Sequence, residues 1–284
     1  MKNILSANNK DKENIVIFFG DSYGKKILEY NFSDDHFSFI EFNHNNLNDL
    51  HFNHFEHIHS KASSFSGGKI LITGGFILDN NQRTVTRRTS LVVYNKEKSL
   101  SIEAFKPMLN NRFSHGCIIS NDTPYVFGGN DGKQAISCVE YYDRAEHNWK
   151  FLSYMNISRE CFSYCLIEQR YIFVFGGCNE DILDSIERYD IIYDKWKLLD
   201  CKMKRPLKDA TACAIDNNRI VLIGGNDTVF HKCVDLFDIE NKNWVSLASM
   251  SIPRARSHVI IYKDHVNIIL CFKYIDFCIR RGKF

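Results

Sequence analysis

Short apolar runs alternate with polar segments along most of the chain, and several of the runs end in two adjacent glycines. They are LITGG (Leu71 to Gly75), YVFGG (Tyr125 to Gly129), FVFGG (Phe173 to Gly177) and VLIGG (Val221 to Gly225). Runs of this length bounded by Gly, Asn and Asp predict strands rather than helices. The segment IFVFGGCNEDILDSIERYDIIYDKW, Ile172 to Trp196, reads as strand, loop, strand, turn, strand. The first glycines of the pairs lie at 74, 128, 176 and 224, in steps of 54, 48 and 48 residues, which marks an internal repeat.

Other positions keep step with the glycines. An aromatic residue followed by Asn or Asp recurs as Tyr94-Asn95, Tyr142-Asp143, Tyr189-Asp190 and Phe237-Asp238. In the last three cases a tryptophan follows the aromatic by seven residues (Trp149, Trp196, Trp244), and the chain contains 3 tryptophans in all. Met108, Met155, Met203 and Met250 each precede the next glycine-pair position by 20 or 21 residues. An apolar strand ending in Gly-Gly, then Tyr-Asp, then Trp, at a period near 50, resembles the kelch repeat. The closest resemblance is to the kelch domain of BTB-kelch (kelch-like) proteins, and it covers nearly the whole chain. It implies an all-β fold, a kelch-type β-propeller in which each repeat is a four-stranded blade. Glycine at the end of an inner strand permits close backbone approach and positive φ. Tyr and Trp supply large apolar faces between blades while their polar tips find partners. These markers are scaffold residues rather than site residues.

Five blades are recognisable, near residues 15–43, 69–109, 125–156, 171–203 and 220–250, with a partial sixth at 258–272 and an atypical tail at 273–284. The first blade is degenerate: IVIFFGD keeps Gly20, Tyr30-Asn31 stands for Tyr-Asp, and Phe37 takes the tryptophan place. The polar segment 1–14 is expected to supply no first strand for it. In related propellers a C-terminal strand fills that position, and HVIIYK, His258 to Lys263, is the candidate here. At about residue 271, where a glycine pair belongs, the chain reads Cys271-Phe272. A five-bladed ring with an appendage competes with a six-bladed design that stops about one repeat short, and the resemblance favours the second.

Charge and composition narrow the function classes. A formal net charge of +2, from 36 basic and 34 acidic residues, gives no electrostatic reason to expect nucleic acid or a membrane surface as partner. The N-terminus lacks a signal-peptide apolar core, and no run has the length of a membrane span, so a cytoplasmic location is expected. The 10 cysteines are spread through apolar runs and loops without a C-x-x-C, as suits reduced thiols used as small hydrophobes. No G-x-S-x-G, H-E-x-x-H, P-loop or GxGxxG is present. No catalytic residue, metal ligand or cofactor is assigned; a metal-dependent enzyme of the kelch fold is the weakest alternative.

Two insertions mark a candidate binding face, because insertions into repeat folds gather in loops on one face. The first is NHNNLNDLHFNHFEHIHSK (43–61), which contains His44, His51, His54, His57 and His59 and reads as a polar loop rather than a metal site. The second, FILDNNQRTVTRRTS (76–90), carries Arg83, Arg87 and Arg88, suited to pairing with acidic or phosphorylated peptide groups. His115 and His258 read as matching repeat positions in structural use. In the resembling family of substrate adaptors, arginines and serines of the inter-blade loop grip acidic peptides. By position this implies Arg112, Ser114, Arg159 and Arg256, while an arginine bonded to backbone carbonyls at the blade junction is the competing reading. Asn130, Asn179 and Asn226, just after the glycine pairs, are turn residues directed to the same face. The expected role is a non-catalytic module that binds a protein or peptide, in the resemblance a substrate receptor of cullin-type ubiquitin ligases or an actin-binding scaffold. Residues 1–14 are too few to supply a BTB half.

Overall fold

The structure is a computed structural model. It describes residues 60–65, 69–79, 82–94 and 100–262, together with the backbone of the strands at 2–6, 14–19, 26–31, 36–41, 265–269 and 281–283. The fold is all-β, a kelch-type β-propeller built from small antiparallel sheets, and the described residues contain no helix. The chain divides into two compact units: Met1–Val126 with Asn130–Lys133 and Glu140–Phe151, and Phe127–Gly129 with Gln134–Val139 and Leu152–Phe284.

Each blade is a meander in which successive strands pair. The first sheet comprises β1 (Lys2–Ser6), β2 (Asn14–Phe19), β3 (Lys26–Asn31) and β4 (His36–Glu41). The second uses β5 (Lys61–Phe65), β6 (Lys69–Thr73), β9 (Thr89–Tyr94) and β10 (Leu100–Phe105). A separate hairpin of β7 (Phe76–Asp79) and β8 (Gln82–Val85) is inserted between β6 and β9. The third sheet runs β11 (Gly116–Ser120), β12 (Thr123–Phe127), β13 (Val139–Asp143), β14 (Asn148–Leu152). The fourth is β15 (Ser163–Ile167), β16 (Tyr171–Phe175), β17 (Ser185–Asp190) and β18 (Lys195–Lys202). The fifth is β19 (Thr211–Ala214), β20 (Arg219–Ile223), β21 (Val234–Asp238) and β22 (Asn243–Ser246). A sixth sheet joins β23 (His258–Tyr262), β24 (His265–Ile269) and β25 (Arg281–Lys283).

The ends differ from the sequence reading. Residues 1–14 do contribute a first strand: β1 pairs with β2 with Ile4 opposite Ile17 and Leu5 opposite Val16. Two apolar residues within a polar stretch suffice for a strand whose partner, NIVIFF, is strongly apolar. His258–Tyr262 is not paired with the first blade but with β24, and the tail returns Arg281–Lys283 as a third strand. Within the insertion 76–90, β7 and β8 form a paired hairpin, with Phe76 opposite Val85 and Asp79 opposite Gln82, rather than an open loop. The His-rich insertion (His44 to His59) and Cys271-Phe272 lie outside the described residues.

Second strands are the most buried. β16 buries Ile172, Phe173, Val174 and Phe175 at no more than 1% exposure, because it is covered on both faces by the next layer of side chains. In the first unit Leu71, Leu91, Met108, Cys117, Val126, Tyr142 and Trp149 form one cluster. In the second unit Cys165, Phe173, Phe175, Met203, Leu207, Leu222 and Phe237 form another. The glycine pair allows a neighbouring repeat to approach closely. Gly176 has φ +56°, and a Cβ on it would lie 2.3 Å from the carbonyl oxygen of Leu207. The next amide, Gly177 N, donates to that carbonyl at 2.9 Å. Gly75 to Arg112, Gly129 to Arg159 and Gly225 to Arg254 repeat the bond at 2.8, 2.9 and 2.7 Å. The tryptophans close the same junctions from outside. Trp149, Trp196 and Trp244 donate Nε1–H to the carbonyls of Lys106, Ser153 and Lys202, one or two residues before the repeat methionines.

Candidate functional site

Arg112 and Arg159 are fully buried, and that places them in the scaffold rather than on a binding face. Arg159 Nη2 donates to Glu187 Oε1 at 2.8 Å, and Nη1 donates to the carbonyl of Gly176 at 2.7 Å. Both side chains of the pair are at 0% exposure. Glu187 also accepts the backbone amides of Asn156 and Ile157 at 2.8 and 3.2 Å. Burial pulls the Arg159 guanidinium below its ordinary pKa, and Glu187 opposes that shift. Arg112 repeats the motif with Glu140, which accepts the amides of Leu109 and Asn110 at 2.6 and 3.0 Å. Ser114 is buried as well, at 7%. A guanidinium at 0% exposure that is paired with a buried carboxylate is out of reach of a partner peptide. Thus three of the four inter-blade candidates are internal.

The carboxylates of this motif have a sequence signal of their own. Glu140, Glu187 and Asp235 each stand two residues before the repeat aromatic, in VEYYD, IERYD and VDLFD. An acidic residue recurring inside a buried strand has to meet a cation. Where Leu207 takes the arginine place, Asp235 is reached by Lys204 Nζ at 3.1 Å and by Ser246 Oγ at 2.8 Å instead.

In the first unit, the exposed basic group is on the inserted hairpin and the strand entry after it. Arg83 lies on β8, opposite Leu78, and Arg87 and Arg88 follow; all three are exposed. Their backbone is fixed: Thr86 N donates to Gly75 O at 3.0 Å, Met108 N to Arg87 O at 2.9 Å, and Gly74 N to Arg88 O at 2.9 Å. Phe76 packs on Phe113 with ring centroids 4.5 Å apart. A Cβ at Gly132 would lie 2.9 Å from Val85 Cγ2, so the hairpin abuts the loop after Gly129. Asn130 joins Phe113 in a two-bond bridge and caps Gly132 N through Oδ1 at 2.9 Å. Arg83, Arg87, Arg88 and Asn130 therefore belong to one end of this unit, as the strand order requires of loops following second and fourth strands.

Left-handed residues recur before the first strand of the blades, Ser114 in the first unit and Cys161, Asp209 and Arg256 in the second. Ser114, Cys161, Asp209 and Arg256, each six residues after a repeat methionine, have φ of 50 to 57°. This alignment sets His115 in step with Ser257, so His258 falls one position later and is not its match. Arg256 N donates to Asp209 O, and Asp209 N to Cys161 O, both at 2.7 Å, which offsets the cost of left-handed backbone. Arg256 Nε lies 3.0 Å from Asp209 Oδ1, with the arginine side chain 49% exposed. Asn226 Nδ2 donates to Asp209 Oδ2 at 3.2 Å. Asn179 Nδ2 donates to Ser158 O at 3.3 Å. Asn179 is one step out of register with Asn130 and Asn226, and Cys178 holds the bridge position opposite Glu160.

Among the described residues, titratable groups do not converge into an acid-base constellation. His115 is buried beside Thr73, with Oγ1 2.7 Å from Nε2, and burial first, then Arg112 and Lys61, holds it well below its ordinary pKa. Among the described residues no three His, Cys, Asp or Glu are grouped to hold a metal ion. An open cleft of about 230 Å³ in the second unit is lined by Arg205, His231, Lys232 and Asp235, whose carboxylate is already bound by Lys204 and Ser246. Among the described residues no helix is long and apolar enough to cross a membrane.

Comparison with known proteins agrees with this architecture. The model of the KLHDC2/KLHL20/DRC7 Kelch-repeats domain matches residues 9–215 and 59–271. Kelch repeat and BTB domain-containing protein 2 of Cowpox virus (strain Brighton Red) is 21% identical over 237 residues, 76% of this chain and 41% of that protein. Beta-scruin of Limulus polyphemus is 26% identical over 271 residues, 87% of the chain and 27% of that protein. Kelch-like protein 25 of Xenopus tropicalis is 25% identical over 219 residues, 72% of the chain and 35% of that protein. The chain thus spans less than half the length of these relatives, and what matches is their kelch part. With blades, glycine pairs, aromatic markers and family model in agreement over most of its length, the chain belongs to the kelch-repeat family.

Proposed function

We propose that the chain is a non-catalytic protein-interaction module that captures an acidic protein or peptide segment at the loop end of its blades. The observation that carries this reading is the group Arg83, Arg87 and Arg88. Three exposed guanidinium groups are borne by backbone that hydrogen bonds hold in place, so little order has to be gained on binding. Arginine forks suit carboxylates and phosphates, which sets the charge of the partner. Arg256 and Asn226 offer a second, smaller polar group in the other unit. The resemblance to BTB-kelch proteins, a name that recurs among the relatives, implies substrate recognition within a cullin-type ubiquitin ligase as the cellular form of the role, with the cytoplasm as its expected place. An actin-binding scaffold is the alternative implied by the kelch resemblance.

Fluorescence anisotropy with labelled glutamate-rich, phosphorylated and neutral peptides tests the reading. Binding is expected only for the anionic peptides, to weaken with salt, and to fall roughly tenfold or more in the Arg83→Ala, Arg87→Ala, Arg88→Ala triple variant at unchanged melting temperature. Equal binding of neutral peptides, or an unaffected triple variant, overturns it. Co-sedimentation with actin filaments in place of peptide binding would support the scaffold instead.

A further inference from the structure

Cys161 and Cys178 stand apart from the other cysteines. Cys161 is one of the left-handed residues at the entry to β15, and Cys178 follows the glycine pair that ends β16. The two-bond bridge between Glu160 and Cys178, with N–H···O distances of 2.8 and 2.9 Å, clamps these segments side by side. Gly177 permits that approach, since a Cβ there would lie 2.6 Å from the carbonyl oxygen of Glu160. The backbone of Cys161 is held from the other side by the amide of Asp209. This frame brings the Cys161 side chain within interaction range of the Cys178 sulfur. Both residues are half-buried, so a small solute can reach them.

A second pair, core Cys165 and half-buried Cys213, is close enough for a Cys213 thiolate to disfavour that of Cys165, and it has the opposite chemistry. Burial pushes Cys165 well above the ordinary thiol range and Cys213 up to about 11. Burial raises Cys201 and Cys233 too. Cys178 is instead pulled down, first by the hydrogen bond from Cys161, with burial and the Glu160 charge opposing and Lys208 assisting. A half-exposed thiol whose pKa is lowered, with a second thiol beside it, is the arrangement that favours two-step oxidation.

We propose that Cys161 and Cys178 form a peroxide-reactive dithiol that closes to an intramolecular disulfide. The Cys178 thiolate attacks hydrogen peroxide; an S–O bond forms, the O–O bond breaks and hydroxide leaves, giving a sulfenic acid. Cys161 then loses its thiol proton and attacks the Cys178 sulfur; the S–S bond forms, the S–O bond breaks, and water leaves. Peroxide is reduced to two waters and the two thiols are oxidised together. The bond would tie the entry of β15 to the loop after β16, beside Asp209, whose amide is bonded to the Cys161 carbonyl.

The full chain is treated with hydrogen peroxide, alkylated and digested without reductant for mass spectrometry. The expected product joins the peptides of Cys161 and Cys178 with the loss of two hydrogen atoms, reverses with dithiothreitol, and raises the melting temperature. Buried Cys165 stays reduced and alkylates only after unfolding. In Cys161→Ser the reaction stops at a Cys178 sulfenic acid that dimedone captures; in Cys178→Ser, Cys161 stays reduced at the same peroxide dose. Three results overturn the proposal: cross-links spread among other cysteines, a wild-type Cys178 that proceeds to sulfinic acid without a cross-link, or a pair left reduced by peroxide that oxidises free glutathione.

Discussion

Replacing Glu187 by alanine should be among the most damaging single changes available to the second unit. The substitution strands the Arg159 guanidinium at 0% exposure and removes the acceptor for the amides of Asn156 and Ile157. Breaking a buried pair from one side costs about 3–5 kcal/mol. In a chain of this size each kcal/mol moves the melting temperature by about 2–4 °C, so a loss on the order of 10 °C follows. Removing both charges together, as Arg159→Met with Glu187→Leu, leaves no stranded ion and should cost less than the sum of the two single changes by about 2 kcal/mol. Asp235 supplies an internal comparison: its partner Lys204 is 29% exposed, and Asp235→Ala should cost only about 1 kcal/mol. Calorimetric melting of the two single variants, the double variant and the Asp235 variant measures all four. A Glu187→Ala loss below about 1 kcal/mol, or simple additivity in the cycle, would refute the reasoning.

Two further outcomes are expected. Gly176→Ala combines a left-handed φ with a Cβ 2.3 Å from the Leu207 carbonyl, and should cost about 3 kcal/mol or prevent folding, while Ala at the exposed Lys133 is neutral; soluble yield and melting temperature check this. His115 has its pKa depressed below the ordinary 6.5, so the unfolded chain binds the extra proton. Its share of stability is therefore whole above that value and declines as pH falls through it, by up to about 1.4 kcal/mol per pH unit. Melting curves between pH 5 and 7.5 should be flatter for His115→Asn than for wild type, and parallel curves would sink this account.

The repeat period, the glycine pairs and the tryptophans made the blades readable in the sequence, because each marker answers a steric demand that returns in every repeat. The arginines were legible as a series but not in their role. Spacing from Met108 and Met155 shows that Arg112 and Arg159 are equivalent; it does not show which way a guanidinium turns. The recurring acid of VEYYD and IERYD, taken with the arginines, carries that information, since one buried charge implies the other. The strand at residues 2–6 was hidden for a different reason: two apolar residues give no period, and only its pairing partner identifies it. The inserted hairpin lacks strong alternation in QRTV and is secured by its register with Phe76–Asp79. The contact between Cys161 and Cys178 depends on a left-handed non-glycine residue, which residue type alone does not reveal.

The bond from the second glycine of a pair to a carbonyl in the following repeat has a consequence for how the chain emerges from a ribosome. Gly129 waits for Arg159, Gly177 for Leu207 and Gly225 for Arg254. At about 5–20 residues per second, the roughly 30 residues between donor and acceptor take on the order of 2–6 s to synthesise. Each blade is thus finished one repeat late, and the nascent chain always carries one unsealed junction at its growing end. A pause placed just after a glycine pair would hold that junction open, with its glycine amide exposed, at the moment when the chain is least able to protect itself.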